Sequence, residues 1–170
     1  MERLDVIDER QRPTGRTVER GERLGPGEYV LAVSVWTVNE RDELLLTLRS
    51  PEKKSYPGLW ENTAGAVRAG ERSRAAAVRE LREETGISAS EEELVPLGVQ
   101  RREHLLVDTY ALRRTVPQEE LRLQPGETSA ARFVSIEEFR RLVRRGQVAE
   151  PVVDRLSEMR DAFERFLKEK

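Results

Sequence analysis

The chain has 170 residues, no cysteine and one histidine, and its 30 basic and 32 acidic residues leave a formal net charge of −2. This length predicts one domain with its own core. The composition excludes a disulfide scaffold, a thiolate metal centre and a zinc site of several imidazoles. The near-neutral charge and the lack of a long apolar run predict a cytoplasmic protein with no stable nucleic-acid partner, signal peptide or membrane span.

The first part of the chain predicts a hairpin, two strands and a loop. Residues 1–27 predict a polar hairpin with a turn at 11–15, followed by a linker. Residues 29–38 (YVLAVSVWTV) are strongly apolar and β-branched, which predicts a central strand, and residues 43–49 predict a second strand. Residues 50–62 predict a loop, because prolines and a glycine interrupt them.

A helix is predicted in the middle of the chain. Ser73 is the expected N-cap, and Gly86 is the expected C-terminal glycine. Between them, the spacing of Ala75, Val78 and Leu81 predicts a buried stripe.

Strands and helices continue to intermix after this helix. In chain order they are a helical turn at 91–93, strands at 94–100, 104–113 and 131–134, a helix at 136–145 capped by Ser135, and one amphipathic helix from about 151 to the C-terminus. This pattern predicts an α/β fold with helices on both faces of a mixed sheet.

Three glutamates share one face of the central helix. Glu80 precedes Glu83 and Glu84 by three and four positions, so the three carboxylates are neighbours. Carboxylates about 5 Å apart repel each other by about 3 kcal/mol per pair at an effective dielectric near 20. A hard divalent cation such as Mg²⁺ would relieve this repulsion, since it prefers carboxylate oxygens, water and phosphate. Taken alone, a glutamate-rich helix face is more often a solvated surface.

The residues around this helix are far more specific than the glutamates alone. Gly65, Glu71 and the segment RELREETGI at 79–87 match the pattern G-x5-E-x7-R-E-U-x-E-E-x-G-U, with U apolar, at every fixed position. This pattern is the Nudix box, and the chain therefore resembles the Nudix hydrolase family.

The resemblance implies a Nudix-type α/β/α sandwich in which the box forms a loop, a helix and a second loop. It also implies an enzyme that cleaves the diphosphate linkage of a small molecule with metal-activated water, using Mg²⁺ or alternatively Mn²⁺. Matched by position, Glu80, Glu83 and Glu84 would be metal ligands, together with a backbone carbonyl near Gly65.

Catalytic roles are implied for Glu83, Glu84 and Arg79. Arg79 would orient the ligand carboxylates, with Glu71 behind it. In the family a further carboxylate outside the box often acts as general base or as an extra ligand. Glu127, in a Gly-Glu-Thr-Ser loop, is the first candidate, and an exposed loop glutamate is the alternative interpretation.

Other candidates lie outside the box. Glu103 and Asp108 are weaker choices for the base, and His104 is interpreted as structural. Arg49 ends the second strand, where the family often places a basic residue, and is the candidate for phosphate binding.

Two loop aromatics complete the predicted substrate site. Tyr56 and Trp60 could stack on a nucleotide base, while packing onto the core is the alternative interpretation.

The resemblance covers nearly the whole chain, which reads as one Nudix domain. Its parts are the hairpin and linker (1–27), a core (28–146) and a C-terminal helix (147–170). A homodimer, with the hairpin and the apolar face of the last helix covering a partner, is a hypothesis. Family frequency favours a nucleoside diphosphate, or a compound linked to one, as substrate.

Two alternative functions are considered. The segments VSVWTV, LTLRS and PGLWENTAG are similar to the branch that includes isopentenyl-diphosphate isomerase. Those isomerases use a cysteine shortly after a Trp-x-Asn-Thr stretch, where this chain has Ala64 and no cysteine anywhere. A non-catalytic Nudix module that only binds a ligand is the second alternative, but such modules typically lose box glutamates that this chain retains.

Overall fold

The computed structural model describes residues 2–169. The strands are β1 (Arg3–Ile7), β2 (Pro13–Glu19), β3 (Val30–Val38), β4 (Leu44–Arg49), β5 (Trp60–Glu61), β6 (Thr63–Ala66), β7 (Val95–Arg101), β8 (Leu105–Arg113) and β9 (Thr128–Val134). The helices are α1 (Ser73–Thr85), α2 (Ile136–Arg144), α3 (Glu150–Glu158) and α4 (Arg160–Lys168), with short 3-10 turns at Glu91–Glu93 and Gln118–Glu120.

Seven strands form one mixed sheet, and β1 and β2 form a separate antiparallel hairpin. The main order is β5-β4-β3-β8-β7, with β6 paired to β3 and β9 paired to β4. Among the named strands in the described residues, β3 and β8 pair in parallel, and the other pairings of this sheet are antiparallel. The strand β6, which leads into α1, therefore lies directly against the central strand β3.

Both faces of β3 are buried, as its largely apolar sequence predicts, and its two polar residues, Ser34 and Thr37, are buried as well. Val33 and Val35 pack with Leu81 of α1 in one core cluster. Trp36 packs on the other face with residues of α2, α3 and α4, including Phe139 and Phe163. Helices thus cover both sides of the sheet, which confirms the predicted α/β/α fold class.

Helix α1 ends as predicted but begins differently. Gly86 has φ of +77° and donates its N–H to Arg82, so it caps the C-terminus. The N-cap is Arg72, and the prediction of Ser73 as the cap is wrong. The Ser73 hydroxyl instead bonds to the carboxylate of Asp108 at 2.5 Å, because α1 begins beside strand β8.

The buried stripe of α1 also differs from the prediction. Ala76, Ala77 and Leu81 are fully buried, whereas Ala75 and Val78 are only half-buried. Ala76, Ala77 and Leu81 lie in one core cluster with Val33 and Val35 of β3. The carboxylates of the box continue the row that begins at Ala76.

The predicted loop at 50–62 is wrong at its C-terminal end. Trp60 and Glu61 form β5, opposite Leu48 and Thr47 of β4. Trp60 also exchanges backbone hydrogen bonds with the segment before α3, donating to Gln147 and accepting from Ala149, both at 2.9 Å. A strand of two residues is too short to show alternation in the sequence.

The predicted single C-terminal helix is divided at Met159, whose φ of −107° interrupts it. Phe163 packs against Trp36, with ring centroids 5.9 Å apart, and Phe166 is buried in the same cluster. The buried residues of this apolar face therefore pack against the chain's own sheet, and the homodimer stays a prediction. Among residues 2–169, no helix combines the length and apolar character needed to span a membrane.

The other predicted elements are confirmed within a few residues, including the first hairpin and α2. Ser135 caps α2 by accepting the Glu138 N–H at 3.1 Å. Strand β9 begins at Thr128, three residues earlier than predicted.

Two helix-terminal glycines provide a stability test. Gly86 and Gly146 both have positive φ, but a Cβ at Gly86 would lie 2.8 Å from Arg122 Cβ, whereas Gly146 faces open space. We expect Gly146→Ala to lower the free energy of unfolding by about 1 kcal/mol, from backbone strain alone. Gly86→Ala should lower it by about 2 kcal/mol or more, because steric overlap adds to that strain. Urea unfolding measures both, and equal losses would contradict the packing around Gly86.

Candidate active site

The central element of the site is the contact between β6 and α1. Gly65 pairs with Val33 in the sheet, and the carboxylate of Glu80 lies directly over it. A Cβ at position 65 would be 2.1 Å from the Glu80 Cδ. Only glycine leaves room for this carboxylate against the strand.

Arg79 binds the acidic groups around this contact. Its guanidinium donates to both oxygens of Glu71 at 2.8 and 2.9 Å, and to the carbonyl of Ala66 at 2.9 Å. It also donates to Glu80 at 2.5 Å and to Glu83 at 3.2 Å. Hydrogen bonding to Glu71, more than any other contact, raises the pKa of Arg79, so the cation is permanent. These contacts place Arg79 where the box predicts an orienting residue.

Two of the box carboxylates are strongly desolvated. Burial raises the pKa of Glu84 well above its usual range, and the nearby carboxylates of Glu61 and Glu80 raise it further. A hydrogen bond from the Ala64 N–H opposes this rise, yet Glu84 Oε2 is buried without a partner. Burial also raises the pKa of Glu80, against the opposing effect of Arg79.

The donor set fits a hard divalent cation in its chemistry. Glu80, Glu83 and Glu84 offer carboxylate oxygens, and the unpartnered Glu84 oxygen lacks the positive charge that would offset its burial. In the structure, Glu80 and Glu83 are not oriented around a shared ion, because both accept hydrogen bonds from Arg79. Between residues 2 and 169, no three acidic or histidine side chains are already arranged to hold a metal ion. Metal binding would therefore require the carboxylates to turn.

One cavity of about 590 Å³ unites most of the predicted site residues. Those that line it are Gly65, Glu80, Glu83, Glu84, Glu127 and Arg49. Arg79 lies behind the carboxylates rather than in the lining. The individual roles assigned to these residues stay predictions.

Lys53 and Glu61, which the sequence analysis did not single out, also line the cavity. Arg49 donates to both oxygens of Glu61 at 3.0 and 2.9 Å, and Lys53 pairs with Glu127. Burial raises the pKa of Glu61, while Arg49 lowers it. Glu61 was missed because it lies in a two-residue strand within a predicted loop. Lys53 carried only a weak signal, as one of four lysines in an arginine-rich chain.

The two aromatic candidates do not belong to the lining of this cavity. Trp60 is half-buried against the α2–α4 side of the core, and the guanidinium of Arg132 lies 5.0 Å from its ring centroid. Tyr56 is 40% exposed, and its backbone has a positive φ of +51°. Packing onto the core, the alternative interpretation, describes Trp60 better than base stacking does.

The weaker candidates lie elsewhere. Asp108 is buried and accepts hydrogen bonds from Gln11 at 2.7 Å and from Ser73. Glu103 lines a different surface depression together with His104. The His104 ring nitrogen Nδ1 is 3.0 Å from the carbonyl of Glu28. None of the three contributes to the cavity of the box glutamates.

Comparison with known proteins assigns the family. The NUDIX domain model matches residues 28–156, about three quarters of the chain. The chain belongs to the Nudix family. The predicted enzyme class, a Nudix pyrophosphohydrolase, is thereby confirmed. Nudix hydrolases generally use divalent metals, consistent with the oxygen donors at the box.

Similar proteins include both hydrolases and isomerases. An uncharacterized Nudix hydrolase of Listeria monocytogenes is 35% identical over 154 residues, which cover 86% of this chain and 88% of the relative. An isopentenyl-diphosphate Delta-isomerase of Pectobacterium atrosepticum is 34% identical, with 79% and 76% covered. Among solved structures, the Nudix domain of Shewanella oneidensis NrtR, complexed with ADP ribose, shares the fold. Its TM-score is 0.65 at 15% identity, with 86% of this chain and 94% of that chain covered.

Gly65 provides a test of the Nudix box geometry. We expect Gly65→Ala to displace the Glu80 carboxylate and to weaken Mn²⁺ or Mg²⁺ binding by about 10- to 100-fold, the effect typical of disturbed ligand orientation. Calorimetric metal titration measures this, and urea unfolding verifies that the variant is folded. A folded variant with wild-type metal affinity would contradict the close contact between Gly65 and Glu80.

Arg79 provides a second test. Arg79→Lys keeps the charge but loses the planar set of donors that reaches Glu71, Glu80 and the Ala66 carbonyl together. We expect the free energy of unfolding to fall by about 1–3 kcal/mol, because buried carboxylates lose hydrogen bonds. Arg82→Lys, on an exposed position of the same helix, is the matched control and should have little effect. Equal stability of the two variants in urea would show that the Arg79 contacts contribute nothing.

Proposed function

We propose that this Nudix hydrolase cleaves the diphosphate linkage of a nucleoside diphosphate or of a compound linked to one, with Mg²⁺, or alternatively Mn²⁺, bound at the box glutamates. The observation that carries the proposal is the shared cavity, in which Glu80, Glu83 and Glu84 lie together with Arg49 and Lys53. Carboxylates supply oxygen ligands, and the two cations supply charge complementary to a diphosphate.

The reaction adds one water molecule across the P–O–P bridge. A new P–O bond forms to the water oxygen, the bridging P–O bond breaks, and the proton released passes to a base or to solvent. When bound, the divalent ion neutralises charge on the diphosphate oxygens and makes water more acidic. Glu80, Glu83 and Glu84 would hold the ion after turning away from Arg79, and Arg79 together with Glu71 would limit how far they turn.

The remaining cavity residues have roles that suit this reaction. Arg49 would bind a phosphate oxygen, with Glu61 fixing the direction of its guanidinium. Glu127 is the candidate base outside the box, and its pairing with Lys53 keeps it at the cavity. Glu127 would need to exchange Lys53 for the attacking water, which an incoming phosphate could induce by attracting the lysine.

The choice of substrate is supported by two observations. The NrtR Nudix domain, which has the same fold, binds ADP ribose, a nucleoside diphosphate-linked compound. Isomerisation of isopentenyl diphosphate is disfavoured despite the similarity to a named isomerase, because Ala64 stands near the position of the isomerase cysteine.

The proposal is tested with a panel of diphosphates assayed for release of phosphate or nucleoside monophosphate. We expect hydrolysis that requires Mg²⁺ or Mn²⁺ and is abolished by EDTA. Glu83→Gln and Glu84→Gln should each reduce kcat/KM by about 100-fold or more, because a ligand to the metal is lost. Glu164→Gln, at an exposed position on α4, is the control that should retain activity.

Three outcomes would overturn parts of this assignment. Activity that survives both substitutions would remove the box glutamates from the metal site. Tight binding of a diphosphate without turnover would favour a ligand-binding module. Proton exchange or isomerisation of isopentenyl diphosphate, followed by NMR in D2O, would favour the isomerase alternative.

A further inference from the structure

The β1–β2 hairpin reaches the catalytic cavity although it lies outside residues 28–156, which match the NUDIX domain. Arg20, directly after β2, and Glu2, directly before β1, both line the cavity of the box glutamates. The hairpin is therefore part of the site.

The hairpin is fixed in place beside the box. The Ala69 N–H donates to the Arg3 carbonyl at 2.8 Å, and the Gly70 N–H donates to the Asp5 carboxylate at 2.7 Å. Leu4, Val6 and Val18 of the hairpin form a small buried cluster with neighbouring residues, including Ala66 of β6. These contacts fix the backbone of Arg20 relative to the loop between β6 and α1.

A chain of ion pairs leads from the hairpin to a box glutamate. Arg20 lies 3.3 Å from Glu2, Glu2 lies 3.2 Å from Arg68, and Arg68 lies 3.5 Å from Glu83. The side chains of Arg20 and Arg68 are 68% and 48% exposed. Ion pairs this exposed contribute little to stability, so both arginines can exchange a carboxylate for an anionic ligand at small cost.

The cations of the cavity fall into two groups on separate elements. Arg49, Lys53 and Lys54 belong to β4 and the loop after it, where Arg49 pairs with Glu61 and Lys53 pairs with Glu127. Arg20 and Arg68 belong to the hairpin and to the loop between β6 and α1. In the described part of the chain, no aromatic or large apolar side chain lines this cavity. A substrate would therefore be recognised mainly through its charges.

We propose that Arg20 and Arg68 form an anion subsite that selects a substrate with a further negatively charged group, a phosphate or a carboxylate, beyond the scissile diphosphate. This inference rests on the proposed diphosphate hydrolysis, in which Arg49 and Lys53 bind the first anionic group. Guanidinium groups suit the role because they present planar donors to either anion.

Two matched substrate pairs test the subsite. UDP-glucuronate and UDP-glucose differ by a carboxylate, and ADP-ribose 2′-phosphate and ADP-ribose differ by a phosphate. For at least one pair, we expect the ratio of kcat/KM for the member with the additional anionic group to that for the member without it to fall roughly fivefold in Arg20→Gln. The pair that responds identifies the anionic group.

Arg10→Gln is the control, because it makes the same charge change at an exposed hairpin position outside the cavity. It should keep the wild-type ratio, and Arg20→Lys should restore part of it. Identical ratios in Arg20→Gln and Arg10→Gln, with both variants folded by thermal denaturation, would overturn the subsite.

A binding measurement separates this inference from the proposed function. If the wild type hydrolyses no diphosphate, the proposed function fails, and calorimetry without metal still decides the subsite. Inorganic tripolyphosphate should then bind more tightly than inorganic diphosphate, and Arg20→Gln should reduce this preference while Arg10→Gln retains it. A preference that is absent in the wild type, or unchanged in Arg20→Gln, would overturn the subsite.

Discussion

The interaction on which the site depends is the set of hydrogen bonds made by Arg79. A single guanidinium joins the loop before α1, through Glu71 and the Ala66 carbonyl, to the acidic face of the helix, through Glu80 and Glu83. Without this cation, several carboxylates would face each other at short distance in a partly desolvated region. The arginine keeps the helix and its loop in register while the carboxylates remain close enough to share a ligand.

The sheet and the helices around it position Arg79 and the box carboxylates. The central strand β3 is buried on both faces, so α1 and the C-terminal helices cover opposite sides of the sheet. The antiparallel pairing of β6 with β3 fixes Gly65 beneath α1, and its missing side chain allows the Glu80 carboxylate to approach the backbone. The burial that stabilises this contact also raises the pKa of Glu80 and Glu84, which makes a nearby positive charge favourable.

Much of this could be predicted from the sequence, because several signals were strong and local. The box indicated α1, its terminal Gly86 and the acidic face, and the apolar run at 29–38 identified the central strand. The C-terminal break at Met159 and the N-cap of α1 at Arg72 depend on tertiary packing, which a helical pattern does not report. The hydroxyl of Ser73, for example, donates to Asp108 on β8, a strand that is distant in sequence, and a local pattern does not indicate this partner.

The composition of the cavity was harder to predict than its centre. Glu61, Lys53, Arg68 and Arg20 reach it from four separate segments, and only the three-dimensional arrangement brings them together. In an arginine-rich chain no single basic residue is conspicuous. The aromatic candidates Tyr56 and Trp60 had the expected residue type and loop position, but the packing of Trp60 beneath Arg132 directs it away from the cavity.

Backbone hydrogen bonds join Trp60 to Gln147 and Ala149, so the segment between α2 and α3 is attached to the strand that borders the cavity. Glu61 follows Trp60 directly, so the strand that carries this carboxylate is anchored by residues beyond α2. The family match ends at residue 156, inside α3, whereas Phe163 and Phe166 of α4 still pack beneath the sheet. A chain shortened to the family boundary would therefore expose part of the hydrophobic core, including Trp36, against which Phe163 packs.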